Sequence, residues 1–258
     1  MKSLKEIWEY RQMISSLVKK DLRTRYKGSV LGFLWTFINP LLQLVIYSLV
    51  FSVIMRVANV DNYAIYLFVA LIPWIFCQTS LTAGSTCIIA SAGLVEKVYF
   101  PRIVLPISNV LSNFVNMLLS FIIVFAALIV TGYYPTAAAF TLPIIMVIEF
   151  FFVLGLVFIF SALTVYFRDL EHILGIFTIA WMYITPILYT IDMIPEKFRF
   201  IADANPMTGI VVAYRDILYY GKFPDFSTLW FTIIFSVITT VVGYFIFQKL
   251  QKKFAEEL

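Results

Sequence analysis

The stretch VLPISNVLSNFVNMLLSFIIVFAALIVT, Val104–Thr131, decides the fold: its 28 residues contain no Asp, Glu, Lys or Arg. A bilayer core about 30 Å thick is crossed by roughly 20 apolar residues of helix, each adding about 1.5 Å. The stretch is long enough to span and too apolar for a half-buried helix of a soluble core. Working outward, five further runs meet the same test: approximately Leu31 to Met55, Ala64 to Ala90, Ala137 to Val165, Ile173 to Ile191 and Leu229 to Gln248. The breaks between them hold charge or turn residues, as in Arg56-Val57-Ala58-Asn59, Gly132-Tyr133-Tyr134-Pro135 and Phe167-Arg168-Asp169. Over the 258 residues, 62% are hydrophobic and 13% charged, with a mean hydropathy of +0.92; soluble domains carry about 25% charge. The expectation is an all-α polytopic membrane protein with six transmembrane helices in one transmembrane domain, residues 1–258. Residues 1–30 form a cytoplasmic interfacial helix, 31–248 the six-span bundle and 249–258 a cytoplasmic tail.

Six spans put both termini on one side, and basic residues choose that side. Lys2, Lys5, Arg11, Lys19, Lys20, Arg23, Arg25 and Lys27 precede the first span. Lys97, Arg102 and Arg168 sit in the second and fourth connections, and Lys249, Lys252 and Lys253 in the tail. These are 14 of the 19 basic residues; Arg56, Lys197, Arg199, Arg215 and Lys222 fall opposite. Both termini are expected in the cytoplasm. The first apolar run far exceeds a signal-peptide core and is expected to stay in the membrane. Leu4, Ile7, Trp8, Ile14, Leu17 and Val18 share one helical face beside the basic residues. That pattern suits an N-terminal amphipathic helix in the interface, against lipid or protein.

Polar side chains inside the spans are costly, so their positions inform. Asn109, Asn113, Asn116 and Ser120 follow one helix face, and Asn39, Gln43 and Tyr47 recur every four residues. Such stripes hydrogen-bond helices together or line a polar passage. Tyr47, Tyr66, Trp74, Tyr183 and Tyr189 pair flat apolar rings with a polar handle, which suits sliding contact with sugars. Glu149 is the one ionisable residue deep inside a span. It is read as a hydrogen-bonded or protonated carboxyl at a helix interface, with a proton or cation site of an ion-coupled secondary transporter as the alternative.

Between Ile191 and Leu229 the chain has its long outer connection. Asn205 suits an N-cap, Pro206 the first helical position and Gly221 the stop. Met207, Ile210, Val211, Tyr214, Ile217 and Leu218 make an apolar face, with Arg215 and Asp216 on the other. A helix of this length cannot cross the bilayer and is expected to dip into or lie on the outer leaflet. With the turn from Pro195 to Ala202 it would form a re-entrant outer unit, following a fifth span kinked by Pro186.

No phosphate-binding G-x-x-x-x-G-K-[ST] loop, no G-x-S-x-G and no glycine-rich nucleotide fingerprint occurs. His172 is the single histidine, without a cluster for a metal site. Cys77 and Cys87 lie ten helical residues apart, about 15 Å and too far to bridge. No catalytic or metal residues are assigned, and an enzyme is disfavoured.

The run KDLRTRYKGSVLGFLW (Lys20–Trp35) followed by Asn39-Pro40-Leu41 resembles the membrane subunits of ATP-binding-cassette polysaccharide exporters of the type-two class, which handle O-antigen and teichoic acid. The likeness continues in EKVYFPR (Glu96–Arg102), YFRDL (Tyr166–Leu170), TPILY (Thr185–Tyr189) and Asn205-Pro206-Met207, in the same order along essentially the whole chain. The resemblance implies a half-transporter that pairs with a second copy of itself and with two copies of an ATP-binding-cassette ATPase. No cofactor is expected in this chain; ATP and Mg belong to the partner ATPase. The substrate, a lipid-linked glycan of O-antigen, teichoic acid or capsule type, would pass between protomers in the bacterial cytoplasmic membrane; no nucleic acid is involved. By position, Glu96, Lys97, Tyr99, Phe100 and Arg102 match a coupling helix on the ATPase, and Arg168 and Asp169 a second contact. Asn39, Gln43, Tyr47, Tyr66, Trp74, Asn113, Asn116, Tyr183 and Tyr189 are candidates for the substrate path. Asn205, Pro206 and Tyr214 match an outer gate, and the basic N-terminal helix a gate at the cytoplasmic interface.

Overall fold

The computed structural model describes residues 8–25, 27–54 and 60–257, and among them it is helical with no β-strand. Leu4, Ile7 and Arg56 lie outside the described residues. The N-terminal helix α1 (Arg11–Thr24) is followed by α2 (Trp35–Ser48), which runs on through a π turn, Leu49–Ile54. Next come α3 (Tyr63–Ser85), the short α4 (Ala92–Lys97), α5 (Val104–Val130), α6 (Leu142–Tyr166) and α7 (Leu170–Ile184). The connection after α7 holds α8 (Arg199–Asp203) and α9 (Pro206–Leu218), and α10 (Phe226–Leu250) and the brief α11 (Phe254–Glu257) follow.

Among the described residues, five segments are long and apolar enough to cross a membrane: Gly32–Phe51, Tyr63–Ser85, Val104–Val130, Ala137–Tyr166 and Leu229–Lys253. The remaining apolar helix, α7, has 15 residues. Pro186 explains its shortness. The residue before a proline is pushed out of the helical region, and Thr185 is extended at φ −81°, ψ 133°. The proline expected to kink this segment ends its helix instead.

α3 is the hub. It packs on α2, α5, α6, α7 and α9, and Leu67 to Leu71 are fully or almost fully buried. Its interior Pro73 is tolerated because neighbouring helices surround it. The closest pair is α6 with α10, whose backbones touch at Gly155 and Gly243. A Cβ on Gly243 would stand 2.3 Å from the Gly155 carbonyl oxygen. Small residues permit that approach, and Ser236 and Thr240 use it to donate to the Ile148 and Phe151 carbonyls at 2.9 and 2.7 Å. By contrast, α2 and α7 sit at the margin and expose Leu41, Leu42, Val45, Ile173, Ile176 and Ile179.

α1 lies against α5. Its buried Ile14 and half-buried Leu17 and Val18 join the core, while Trp8 of the same expected face is 69% exposed. The contact is completed by polar groups. Arg25 pairs with Asp21 at 3.0 Å and donates from Nη2 to Asn113 Oδ1 at 2.7 Å, while Ser112 Oγ donates to Asp21.

Candidate functional site

One end of the fold is built around the break that follows α7. Irregular backbone at membrane depth survives only where the protein satisfies its carbonyls, and here side chains do so one after another. Tyr189 Oη donates to the Tyr183 and Ile184 carbonyls at 2.8 and 3.1 Å. Arg215 donates to the Pro186 and Ile187 carbonyls, the latter at 2.6 Å, and from Nε to the Tyr66 carbonyl at 3.3 Å. Tyr63 Oη donates to the Leu188 carbonyl at 2.7 Å, and Tyr66 Oη to that of Tyr189 at 3.4 Å. The Arg215 guanidinium also lies 3.6 Å above the Tyr66 ring, in cation–π contact.

α9 closes this break. Asn205 caps it as expected, accepting from the Met207 N–H at 3.1 Å, with Pro206 next in the helix. The Asn205 side chain also accepts from Trp181 Nε1 at 2.9 Å and donates to Thr185 Oγ1 at 2.8 Å, so the cap doubles as a bolt onto the end of α7. Gly221, at φ +64°, turns the chain after α9, and its carbonyl accepts from Thr136 Oγ1 at 2.9 Å. One expectation is corrected here. Arg215 is 3% exposed rather than on an outward polar face, and α9 is buried on nearly all sides by α3, α6 and α10. The cause is the break itself, whose free carbonyls need a donor and supply a polar socket for a cation.

Glu149 lies under the same helix. It is fully buried on α6, and its Oε2 accepts from Tyr214 Oη at 2.7 Å. The Tyr214 ring stacks on Phe121 at 5.5 Å. This is a helix-interface carboxyl joining α6 to α9. Glu149→Gln preserves an acceptor for Tyr214, and transport should stay within about threefold of the parent. Glu149→Leu strands the hydroxyl, at about 1–3 kcal/mol, and should lower the melting temperature of the purified protein. Loss of transport in the Gln variant with unchanged stability would instead support ion coupling.

The expected path residues divide into two groups. Asn39, Asn113 and Asn116 come together with Arg25, Thr36 and Ser120 around a cavity of about 120 Å³ between α2, α3 and α5. Asn113 is also held by Arg25 and Asn109, so part of the α5 stripe joins helices. Asn39 is exposed and Gln43 and Tyr47 are half-buried along α2, and Tyr47 Oη reaches Met182 Sδ on α7 at 3.9 Å. Tyr183 is exposed near the C-terminal end of α7, and Tyr189, just beyond it, is half-buried. Tyr66 and Trp74, in contrast, are packed inside the protomer because α3 is its hub; Trp74 meets Trp181 edge to face at 5.7 Å.

At the opposite end, Glu96, Lys97 and Tyr99 are exposed after the first turn of α4, with Tyr99 98% exposed. Phe100 points inward and is buried. Arg102 is half-buried, donates to the Gln251 carbonyl and lies 6.0 Å from the Phe254 ring centroid. Phe167, Arg168 and Asp169 are exposed, and the neighbouring Tyr166 Oη donates to the Leu250 carbonyl at 2.9 Å. Both connections therefore meet at the end of α10. Arg215, Tyr63 and Phe254 were missing from the expected site. The first stood out only as a lone cation in an apolar helix, and the last as one large ring in the charged run QKKFAEEL.

Comparison with known proteins gives the family. The ABC-2 type transporter family matches residues 12–219. The chain is 36% identical to an O-antigen export system permease protein of Myxococcus xanthus, over 99% of this chain and 98% of that one. A permease of the same description from Klebsiella pneumoniae is 39% identical over 94% and 93%. A polysialic acid transport protein of Escherichia coli is 23% identical over 89% and 90%.

Proposed function

The chain belongs to the ABC-2 type transporter family, and on that premise we propose that it is the transmembrane subunit of an ATP-driven exporter of lipid-linked polysaccharide. Two copies pair in the bacterial cytoplasmic membrane and carry two copies of a separate ATPase. Each copy crosses six times as one transmembrane domain with both termini in the cytoplasm, α7 and the outer unit after it serving as the fifth crossing. The glycan passes along the seam between copies. The exposed apolar faces of α2 and α7, which carry Asn39 and Tyr183 with the half-buried Gln43 and Tyr47 alongside, favour that seam. Aromatic rings and amides there offer stacking and hydrogen bonds to a sliding sugar without a deep pocket.

The observation that carries the coupling is the meeting of two exposed connections at the end of α10. Glu96, Lys97 and Tyr99 from one, and Arg168 and Asp169 from the other, present charge and an aromatic ring on the same end of the fold. ATP binding would draw the ATPases together, pull on these contacts and open the seam through α2 and α7. The outer gate is α9 with its Asn205–Pro206 start.

Purification from the native host in mild detergent tests this reading. The expected particle holds two copies of this chain and two of an ATPase; a stable particle without an ATPase would sink it. Within that complex, Glu96→Ala with Tyr99→Ala should leave membrane insertion intact and lower export by about 10-fold or more, a coupling loss of over 1 kcal/mol. Unchanged export and unchanged coupled ATP hydrolysis would remove this surface from the docking site.

A further inference from the structure

The two cytoplasmic connections are some seventy residues apart in sequence, yet both are tied to one helix end. Where α10 passes into the 3₁₀ turn Gln251–Lys253, two consecutive carbonyls accept from residues of different connections, the Gln251 carbonyl also taking the Phe254 N–H. The Leu250 carbonyl accepts from Tyr166 Oη at 2.9 Å, and the Gln251 carbonyl accepts from Arg102 Nη1. Phe254 locks the arrangement from beneath. It is fully buried although its neighbours Lys252, Lys253, Glu256 and Glu257 are exposed. Its ring sits 5.6 Å from Phe247 and 6.3 Å from Tyr166, with the Arg102 guanidinium at 6.0 Å.

The tail also forms a wall shared by two clefts. One, of about 470 Å³, runs along Val95, Tyr99, Arg102, Gln251 and Lys252. The other, of about 810 Å³, runs along Tyr166, Phe167, Asp169 and Leu170 and ends at Glu257. The two clefts border different parts of one short tail, Gln251 and Lys252 in the first and Glu257 in the second.

We propose that residues 250–254 are a brace that holds the two cytoplasmic connections in one fixed relation, with Phe254 and Tyr166 as positioning residues for coupling. A push on either connection then moves both, together with the end of α10, rather than being absorbed in a hinge. The inference rests on the reading of these connections as ATPase contacts.

The test uses the whole complex with its ATPase, measuring subunit ratio, ATP hydrolysis and glycan export. Phe254→Ala should insert, retain the ATPase at the parental ratio and go on hydrolysing ATP, while export falls about 10-fold. Phe254→Leu, which refills the space, should restore export to within about threefold. Tyr166→Phe removes one hydroxyl without opening a void, and should lower export about threefold at parental accumulation. That variant carries the test alone where Phe254→Ala does not accumulate. Parental export in Phe254→Ala, or in Tyr166→Phe, would overturn the brace. So would loss of the ATPase from the Phe254→Ala complex, because the ring would then be part of the docking site itself. If the parent complex lacks an ATPase, the coupling reading fails first, and that outcome is visible before any variant is made.

Discussion

Replacing Arg215 by Met is expected to lower the melting temperature of the purified protein by about 10 °C and to remove most of it from the membrane. The side chain supplies the donors for the Pro186, Ile187 and Tyr66 carbonyls and lies under 4% exposed. Methionine fills much of the space and donates nothing. Each buried carbonyl left without a partner costs about 1–3 kcal/mol. The Pro186 and Ile187 carbonyls together come to about 4 kcal/mol, the Tyr66 carbonyl lying inside α3 where its own helix supplies a donor, against a total stability of roughly 5–15 kcal/mol. Arg215→Lys should fall between, because an ammonium group cannot reproduce the planar fork that reaches separate carbonyls. A melting temperature for Arg215→Met within about 2 °C of the parent would show that the break after α7 finds other partners.

Gly243→Val is expected to be as damaging for a different reason. Any Cβ at this position meets the Gly155 carbonyl oxygen at 2.3 Å, and one at Gly155 meets the Thr239 carbonyl carbon and Thr240 nitrogen at 2.5 Å. Those obstacles are backbone, so no side-chain rotation relieves them, and α6 and α10 must move apart. Separation also breaks the Ser236 and Thr240 bonds to the Ile148 and Phe151 carbonyls. Overpacking costs about 1–3 kcal/mol and the two bonds about 1 kcal/mol each, so a loss on the order of 4 kcal/mol is expected. Gly243→Ala should show part of the effect, and Gly175→Ala, with open space at its Cβ, none. Size-exclusion profiles of the three variants, extracted side by side, decide it. A monodisperse Gly243→Val at parental yield would mean that the helices are not packed this closely.

Both residues show where sequence reading stops. Gly243 is the single glycine of α10, which marks a place for close approach without saying which helix comes near. Its role depends on Gly155, 88 positions away, lying opposite. Arg215 was legible as a cation in an apolar helix, and the helix was placed correctly with its Asn205 cap and Pro206 start, because both signals act within a few residues. The direction of the side chain was not legible. The acceptors that draw it inward exist only because Pro186 ends α7, and they reach Arg215 only because α9 folds back over that break. Tyr66 and Trp74 carry the same lesson. An aromatic ring with a polar handle looks alike whether it lines a passage or fills a core, and the central position of α3 puts these two in the core.

That the chain is a helical membrane protein, which family it resembles and where its apolar segments lie are all legible along its residues. Those features follow from length, hydropathy and local capping, since hydrocarbon forces each segment to satisfy its own backbone. Contacts between distant segments turn Arg215 and Phe254 inward and bring the connections around Arg102 and Arg168 to one helix end. Each of these depends on which unsatisfied group of one segment is brought within about 3 Å of a donor on another, and spacing along the chain carries no record of that.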